Sequence, residues 1–174
     1  MPAEEDFQRA RDLALNYLSC RPRSSKEVYE RLRRKGCSDE VAHDVIEYLA
    51  ERRYLDDRMF AEDWADFSIN RKLSGRILLR QELRLKGIPA EIIDDVIRRA
   101  YDHPEGRERE VALRLARKRI RSFRKGDREK LMRSLISLLA RHGFPRSIIR
   151  ETVLEVLGGP AGDEDFDDCP DGEL

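Results

Sequence analysis

The chain has 174 residues, with 35 Lys and Arg against 35 Asp and Glu, and charged and hydrophobic residues each make up 40% of it. That mixture suits amphipathic helices better than one thick core. No run approaches about 18 consecutive apolar residues, which argues against a membrane-spanning helix, and the opening MPAEEDFQRARD has no apolar signal core, so a cytoplasmic location is expected.

In chain order, Phe7, Ala10, Ala14, Tyr17 and Leu18 share one face of a first predicted helix, stopped by Pro22. Ser24 stands three residues before Glu27, the capping-box spacing, and opens a second helix with Val28 and Leu32 that stops at Gly36. Ser38 caps a third, carrying Val41, Val45, Ile46 and Leu49. A second pass follows. Asp56 caps a helix with Phe60, Trp64 and Phe67 at i, i+4 and i+7. Ser74-Gly75 precedes one with Leu79 and Leu83 that ends at Gly87, and Pro89 opens one with Ile92, Ile93, Val96 and Ile97. The third pass has a helix from about Arg107 and one from Asp127 with Leu135 and Leu139. Gly143 and Pro145 then precede Ile148, Ile149, Val153 and Val156.

Aligning the three glycines makes the repeat explicit. Four positions before each lies Leu32, Leu83 or Leu139; eight before, Val28, Leu79 or Leu135; five after, Val41, Ile92 or Ile148; ten after, Ile46, Ile97 or Val153. The expected fold is all-α: three tandem three-helix, helix-turn-helix-like modules, elongated, over residues 1–53, 54–103 and 104–157. Residues 158–174 form a tail with seven acids and no base. Its Gly and Pro breakers and single sign of charge predict disorder.

No chemistry assembles along the chain. Cys20, Cys37 and Cys169 are odd in number and not at metal-ligand spacing, and His43, His103 and His142 do not complete a zinc set, so no metal and no cofactor are expected. The pairs Asp56-Asp57 and Asp94-Asp95 diverge by about 100° on a helix and suit capping or solvation. Ser24 and Ser38 read as caps rather than nucleophiles. No phosphate loop, nucleophile elbow or HExxH occurs, so no catalytic residue is expected. Trp64 with Phe60 and Phe67 invites a base-stacking role, but helical spacing beside Ala61 makes it a core stripe.

The charge is uneven. Residues 105–157 hold fifteen bases and seven acids, and RLARKRIRSFRK, Arg114 to Lys125, has seven bases in twelve positions. Arg114, Arg117, Lys118, Arg121 and Lys125 fall near one helical face. Ala112, Leu115, Ala116, Ile120 and Phe123 define an apolar sector elsewhere on the same helix. A Glu110–Arg114 pair at i, i+4 would contribute only about 0.3–0.5 kcal/mol. The stripe is either a solvated face or a surface for a polyanionic or acidic partner. With only Phe123 interleaved, phosphate or carboxylate contact fits better than base reading. The tail acids could fold back over the stripe and compete with such a partner.

The run YLDDRMFAEDW (Tyr54–Trp64), with RPRSSKEVYERLRRKG (Arg21–Gly36), GRILLRQELRLKG (Gly75–Gly87) and ARHGFPRSIIRETV (Ala140–Val153), resembles the RecX family of recombination regulators over about residues 8–157. Arg53 departs from the glycine that often precedes the Y-L-D-D element, and the acidic tail is longer than the resemblance leads one to expect. The resemblance implies a non-enzymatic protein of tandem three-helix modules that binds the RecA recombinase and its filament on single-stranded DNA. It also implies that the protein limits filament extension, strand exchange, ATPase and coprotease activity. From charge rather than from any family motif, the expected contact residues are Arg114, Arg117, Lys118, Arg121, Arg124 and Lys125. A monomer with weak direct DNA affinity is expected. The alternative is a stand-alone helix-turn-helix DNA-binding protein, although the presumptive recognition helix SDEVAHDVIEYLAERR begins acidic.

Overall fold

The structure, a computed structural model, describes residues 2–101, 106–122 and 128–158. Among these the chain is helical, with no strand: α1 (Pro2–Leu18), α2 (Ser25–Arg34), α3 (Asp39–Glu51), α4 (Asp57–Phe67), a π-helical turn (Ser68–Lys72), α5 (Arg76–Leu85), α6 (Ala90–Tyr101), α7 (Arg107–Ser122), α8 (Arg128–Arg141) and α9 (Arg146–Leu157). The expected acidic tail, and with it Cys169, lies outside the described residues, as do His103, Phe123, Arg124, Lys125 and Asp127.

The repeat seen in the sequence is a repeat of one helix ending. Gly36, Gly87 and Gly143 take φ of 86°, 76° and 76°. After each, the next residue's N–H reaches back to the leucine four before the glycine: Cys37 to Leu32 at 3.2 Å, Ile88 to Leu83 at 3.1 Å, Phe144 to Leu139 at 3.2 Å. The glycine's own N–H bonds Arg33, Arg84 or Ala140. This pairing satisfies the last carbonyls of α2, α5 and α8 and requires a left-handed residue at the corner. Leu32, Leu83 and Leu139 are fully buried, as are Val28, Leu79 and Leu135. The positions five after the glycines, Val41, Ile92 and Ile148, are only half-buried. The core residue is one later, at Ala42, Ile93 and Ile149, because the inward faces run Ala42–Val45–Leu49, Ile93–Val96–Ile97 and Ile149–Thr152–Val153.

The described residues form two compact bodies, one within residues 1–63 and 83–93, the other within 64–82 and 94–174. In the first, α1, α2 and α3 pack on one another around Ala10, Ala14, Val28, Leu32, Ala42, Val45, Leu49 and Leu55. The predicted capping box is present: Ser24 Oγ accepts from Glu27 N–H, and Glu27 returns a carboxylate oxygen to Ser24 N–H. The same buried hydroxyl donates to Lys86 O at 2.7 Å. Asp56 takes Met59 N–H at 2.9 Å, as a cap should, and Asp57 takes Ser25 N–H at 2.8 Å. Arg53 stands at the left-handed corner closing α3, with φ of 58° and its N–H on Ala50 O, while Tyr54 N–H reaches Leu49 O. This is the glycine-type ending again, made by an arginine. It explains why a glycine suits the position before Tyr54-Leu55-Asp56-Asp57.

In the second body α7, α8 and α9 pack around Val111, Ala112, Leu115, Ala116, Leu135, Leu139, Phe144, Ile149 and Val153. Here Gly143 does more than turn the chain. A Cβ on it would fall 2.2 Å from Leu78 N, and one on Gly75 would fall 2.4 Å from Gly143 O, so two stretches of backbone touch without side chains between them. Gly75 N–H bonds His142 O at 2.7 Å and Ile77 N–H bonds Gly143 O at 3.0 Å. Glu108, almost fully buried, accepts from Arg76 N–H at 2.8 Å and pairs with the Arg76 guanidinium, capping the start of α5 from the first turn of α7. Tyr101, also buried, donates to Ser74 O at 2.7 Å. Burial first, and then the neighbouring Glu108 carboxylate, lift its phenol well above the ordinary tyrosine range, so the donated proton stays in place.

The expected aromatic core stripe on α4 is corrected. Phe60 is buried, but Phe67 is 46% exposed and Trp64 half-buried; Ala61, Ala65, Ser68 and Ile69 are the buried residues beside and beyond it. Trp64 turns aside because its indole N–H needs an acceptor, and finds Glu82 at 2.8 Å. Glu82 also accepts from Ser68 Oγ at 3.0 Å and Lys72 Nζ at 2.7 Å, tying the π-helical turn to α5. Burial opposes ionisation of Glu82. The bonds from Lys72, Trp64 and Ser68 outweigh it and hold the carboxyl below its ordinary value.

Three outcomes follow from this packing. Arg53→Gly removes a left-handed strain of about 1–2 kcal/mol against a glycine entropy of roughly 0.5–1 kcal/mol, so it should raise unfolding stability by about 0.5–1 kcal/mol in urea titrations. Gly36→Ala, with nothing within 4 Å of the new methyl, should cost about 1 kcal/mol, whereas Gly143→Ala, which drives its methyl into α5 backbone, should cost several kcal/mol or prevent folding. Glu82 is more acidic folded than unfolded, so its contribution is complete above the ordinary carboxylate range and disappears as pH falls through its lowered folded value. The stability difference between the native chain and Glu82→Gln should therefore be about 1 kcal/mol at neutral pH and close progressively below pH ~4.

Candidate polyanion-binding face

Helix α7 is built to bury one side and charge the other. Glu108 and Glu110 in its first turn suit the positive end of the helix dipole. Glu108, Val111, Ala112, Leu115 and Ala116 are buried, and Leu113 joins them. Ile120, expected in the apolar sector, is half-buried. The opposite side presents Arg114, Arg117, Lys118 and Arg121, all exposed. The structure thus places four of the six expected contact residues on one surface; Arg124 and Lys125 lie outside the described residues.

These four are not equivalent. Arg117 lies 3.8 Å from Glu155 of α9, which also pairs with Arg109. Arg114, Lys118 and Arg121 make no ion pair or hydrogen bond with another described residue, and the expected Glu110–Arg114 pair does not form. No carboxylate among the described residues offsets their charge, so the counterions that gather there are open to displacement by an anionic group.

Beside this face runs a groove of about 290 Å³ that the sequence did not announce. Arg71, Lys72 and Leu73 line it from the π-helical turn, Leu115, Lys118, Arg119 and Ser122 from α7, and Leu138 and His142 from α8. Lys118 belongs to both the face and the groove. Lys72 is held by Glu82 and lies 4.7 Å from the Trp64 ring centroid, and Arg119 donates to Ser134 Oγ at 2.9 and 3.1 Å. His142 Nδ1 lies 3.2 Å from Leu73 O, and since a carbonyl only accepts, the proton sits on Nδ1. Arg71-Lys72 escaped notice because they follow a helix in no repeating register. Only the widened π turn, closed by Leu73 at φ 57°, brings them round to α7.

The carboxylate pairs behave as caps and surface partners. Asp94 pairs with Arg80, and Asp95 with Arg98 and Arg99. Among the described residues no group of three or more His, Cys, Asp or Glu could hold a metal ion, and no helix is long and apolar enough to cross a membrane. What the site offers is spaced positive charge over a firm apolar helix.

Three family models match in succession: RecX, first three-helix domain, at residues 10–49; RecX, second three-helix domain, at 56–97; and RecX, third three-helix domain, at 107–153. The chain is 35% identical over 155 residues to the regulatory protein RecX of Prosthecochloris aestuarii (strain DSM 271 / SK 413), covering 89% of this chain and 98% of that one. It is 34% identical to that of Chlorobium phaeobacteroides (strain BS1), with the same two coverages. Among solved structures, RecX from Lactobacillus salivarius superposes with a TM-score of 0.75 at 24% identity, covering 89% of this chain and 98% of that chain. A second regulatory protein RecX superposes at 0.76 and 26% identity, with 87% and 73% covered. Three matched domains in order, carried on the repeated helix endings described above, establish that this chain belongs to the RecX family of regulatory proteins.

Proposed function

We propose that this chain is a cytoplasmic, non-enzymatic regulator that binds the RecA recombinase and its filament on single-stranded DNA, limiting filament extension, ATPase, strand exchange and coprotease activity. Membership of the RecX family supports the partner. The single structural observation that carries the contact surface is the α7 face, where Arg114, Lys118 and Arg121 project from a helix whose other side is buried. Arg117 is a weaker member, since Glu155 already takes part of its charge. A polyanionic assembly engages such a face through many small contacts, each worth less than about 1 kcal/mol in the open, whose sum depends on salt.

Direct DNA binding is the second reading. Helix α3 begins with Asp39 and Glu40, which meet phosphates badly, but α9 has no acid in its first turn and starts on Arg146. The third module is therefore the one suited to touch DNA.

Titrating the protein below stoichiometric ratio into RecA hydrolysing ATP on single-stranded DNA should suppress hydrolysis. Undiminished hydrolysis contradicts the reading, and equal affinity for bare DNA and for filament favours the second. The triple reversal Arg114→Glu, Lys118→Glu, Arg121→Glu should raise the half-inhibitory concentration on the order of tenfold, three contacts of roughly 0.5 kcal/mol each. The circular dichroism melting curve should not move, because none of the three side chains is buried.

A further inference from the structure

The exit of the chain from α9 points to an occupant for the α7 face. We propose that the acidic run Asp163–Asp168 of the same chain docks across Arg114, Lys118 and Arg121 and into the groove that Lys118 shares with Arg71 and His142. There it competes with the polyanionic partner. The docking stands on charge and tether length alone; only the identity of the competitor rests on the proposed function.

Four observations meet here. The face carries three exposed cations that no described residue pairs with. The chain leaves α9 beside that face: Glu155 is 3.8 Å from Arg117, and three residues later Gly158 closes the helix at φ 64° with its N–H on Leu154 O. The acidic run starts five residues beyond Gly158, a reach of at most roughly 17 Å, and α7 with its side chains is only about 10–12 Å across. Finally, the run Asp163-Glu164-Asp165-Phe166-Asp167-Asp168 sets one aromatic among five carboxylates, and the groove sets Leu115 and Leu138 among its cations.

The immediate alternative site repels it. The C-terminal end of α9 is the negative end of a helix dipole, and the nearby Arg109 is already held by Glu151 and Glu155, so a carboxylate run gains nothing by staying there. A short tether gives the run an effective concentration in the millimolar range at the face. Weak contacts therefore suffice for substantial occupancy, while a long, multivalent polyanion still displaces it.

The test compares the full chain with a full chain in which Asp163→Asn, Glu164→Gln, Asp165→Asn, Asp167→Asn and Asp168→Asn are combined. Amide spectra should differ at Lys118, Arg119, Ser122 and His142. The differences should be independent of protein concentration and should vanish near 1 M salt, where the screening length is about 3 Å. A labelled oligo(dT) probe should bind the neutralised chain on the order of three- to tenfold more tightly at low salt, with a salt slope steeper by ~0.7 for each cation uncovered. Unchanged α7 and α8 amides, changes confined to other helices, a concentration-dependent effect marking a second copy's tail, or unchanged oligonucleotide affinity would each overturn the proposal. If neither chain retains the oligonucleotide, the spectra alone decide. Neither readout contains recombinase, so a failure of the RecA assay and a failure of tail docking are told apart.

Discussion

A helix that must end and turn within two residues leaves its last carbonyls facing nothing, and here the chain answers that problem the same way each time. The amide of the residue just after the corner folds back onto the leucine carbonyl, and the corner residue goes left-handed to allow it. The following helix then starts at a fixed angle to the one before, so both can press buried leucine, valine or isoleucine against a third. Everything else about the modules depends on that corner. Where the corner lacks a glycine, at Arg53, the same hydrogen bonds form and the backbone bears the strain. At Gly143 the corner is also a point of contact between main chains, so hydrogen bonds rather than side-chain packing join the start of α5 to the end of α8.

Much of this was legible in the sequence because it is local. Ser24 with Glu27, Ser38 before Val41 and Asp56 before Met59 are short-range capping chemistry, and all three caps form. Glycine spacing and the leucines before it are set by the 3.6-residue period and survive without tertiary knowledge. What failed was angular. Val41, Ile92 and Ile148 sit one position from the true inward face, an error of about 100° that hydrophobicity alone does not resolve when Ala42 is the buried partner. The aromatic spacing of Phe60, Trp64 and Phe67 was legible, but the carboxylate that draws Trp64 aside lies on another helix.

The same division holds at the candidate site. The α7 stripe was visible because its bases keep helical register over a buried alanine and leucine side. Which of them keep their charge was not visible, since Glu155 approaches Arg117 from 38 residues along the chain. The groove cations Arg71 and Lys72 depend on a π turn, which has no sequence period of its own. Three carboxylates thus hold cations around this site. Glu82 fixes Lys72, Glu108 fixes Arg76 and Glu155 takes part of Arg117. On the α7 face, Arg114, Lys118 and Arg121 have no such partner among the described residues and project to solvent.

Glu108 carries a further consequence. Its sequence neighbours place it in the third matched domain, yet its carboxylate closes the first turn of α5, which belongs to the second. Severing the chain after Tyr101 would take the Glu108 carboxylate away from the Arg76 amide and guanidinium and would bare the backbone of Gly75 and Leu78 to water. Two stretches that the sequence assigns to separate repeats are therefore joined in the folded chain. Insertions or swaps that respect the family borders would still break the joint unless they carry a carboxylate back to the same place.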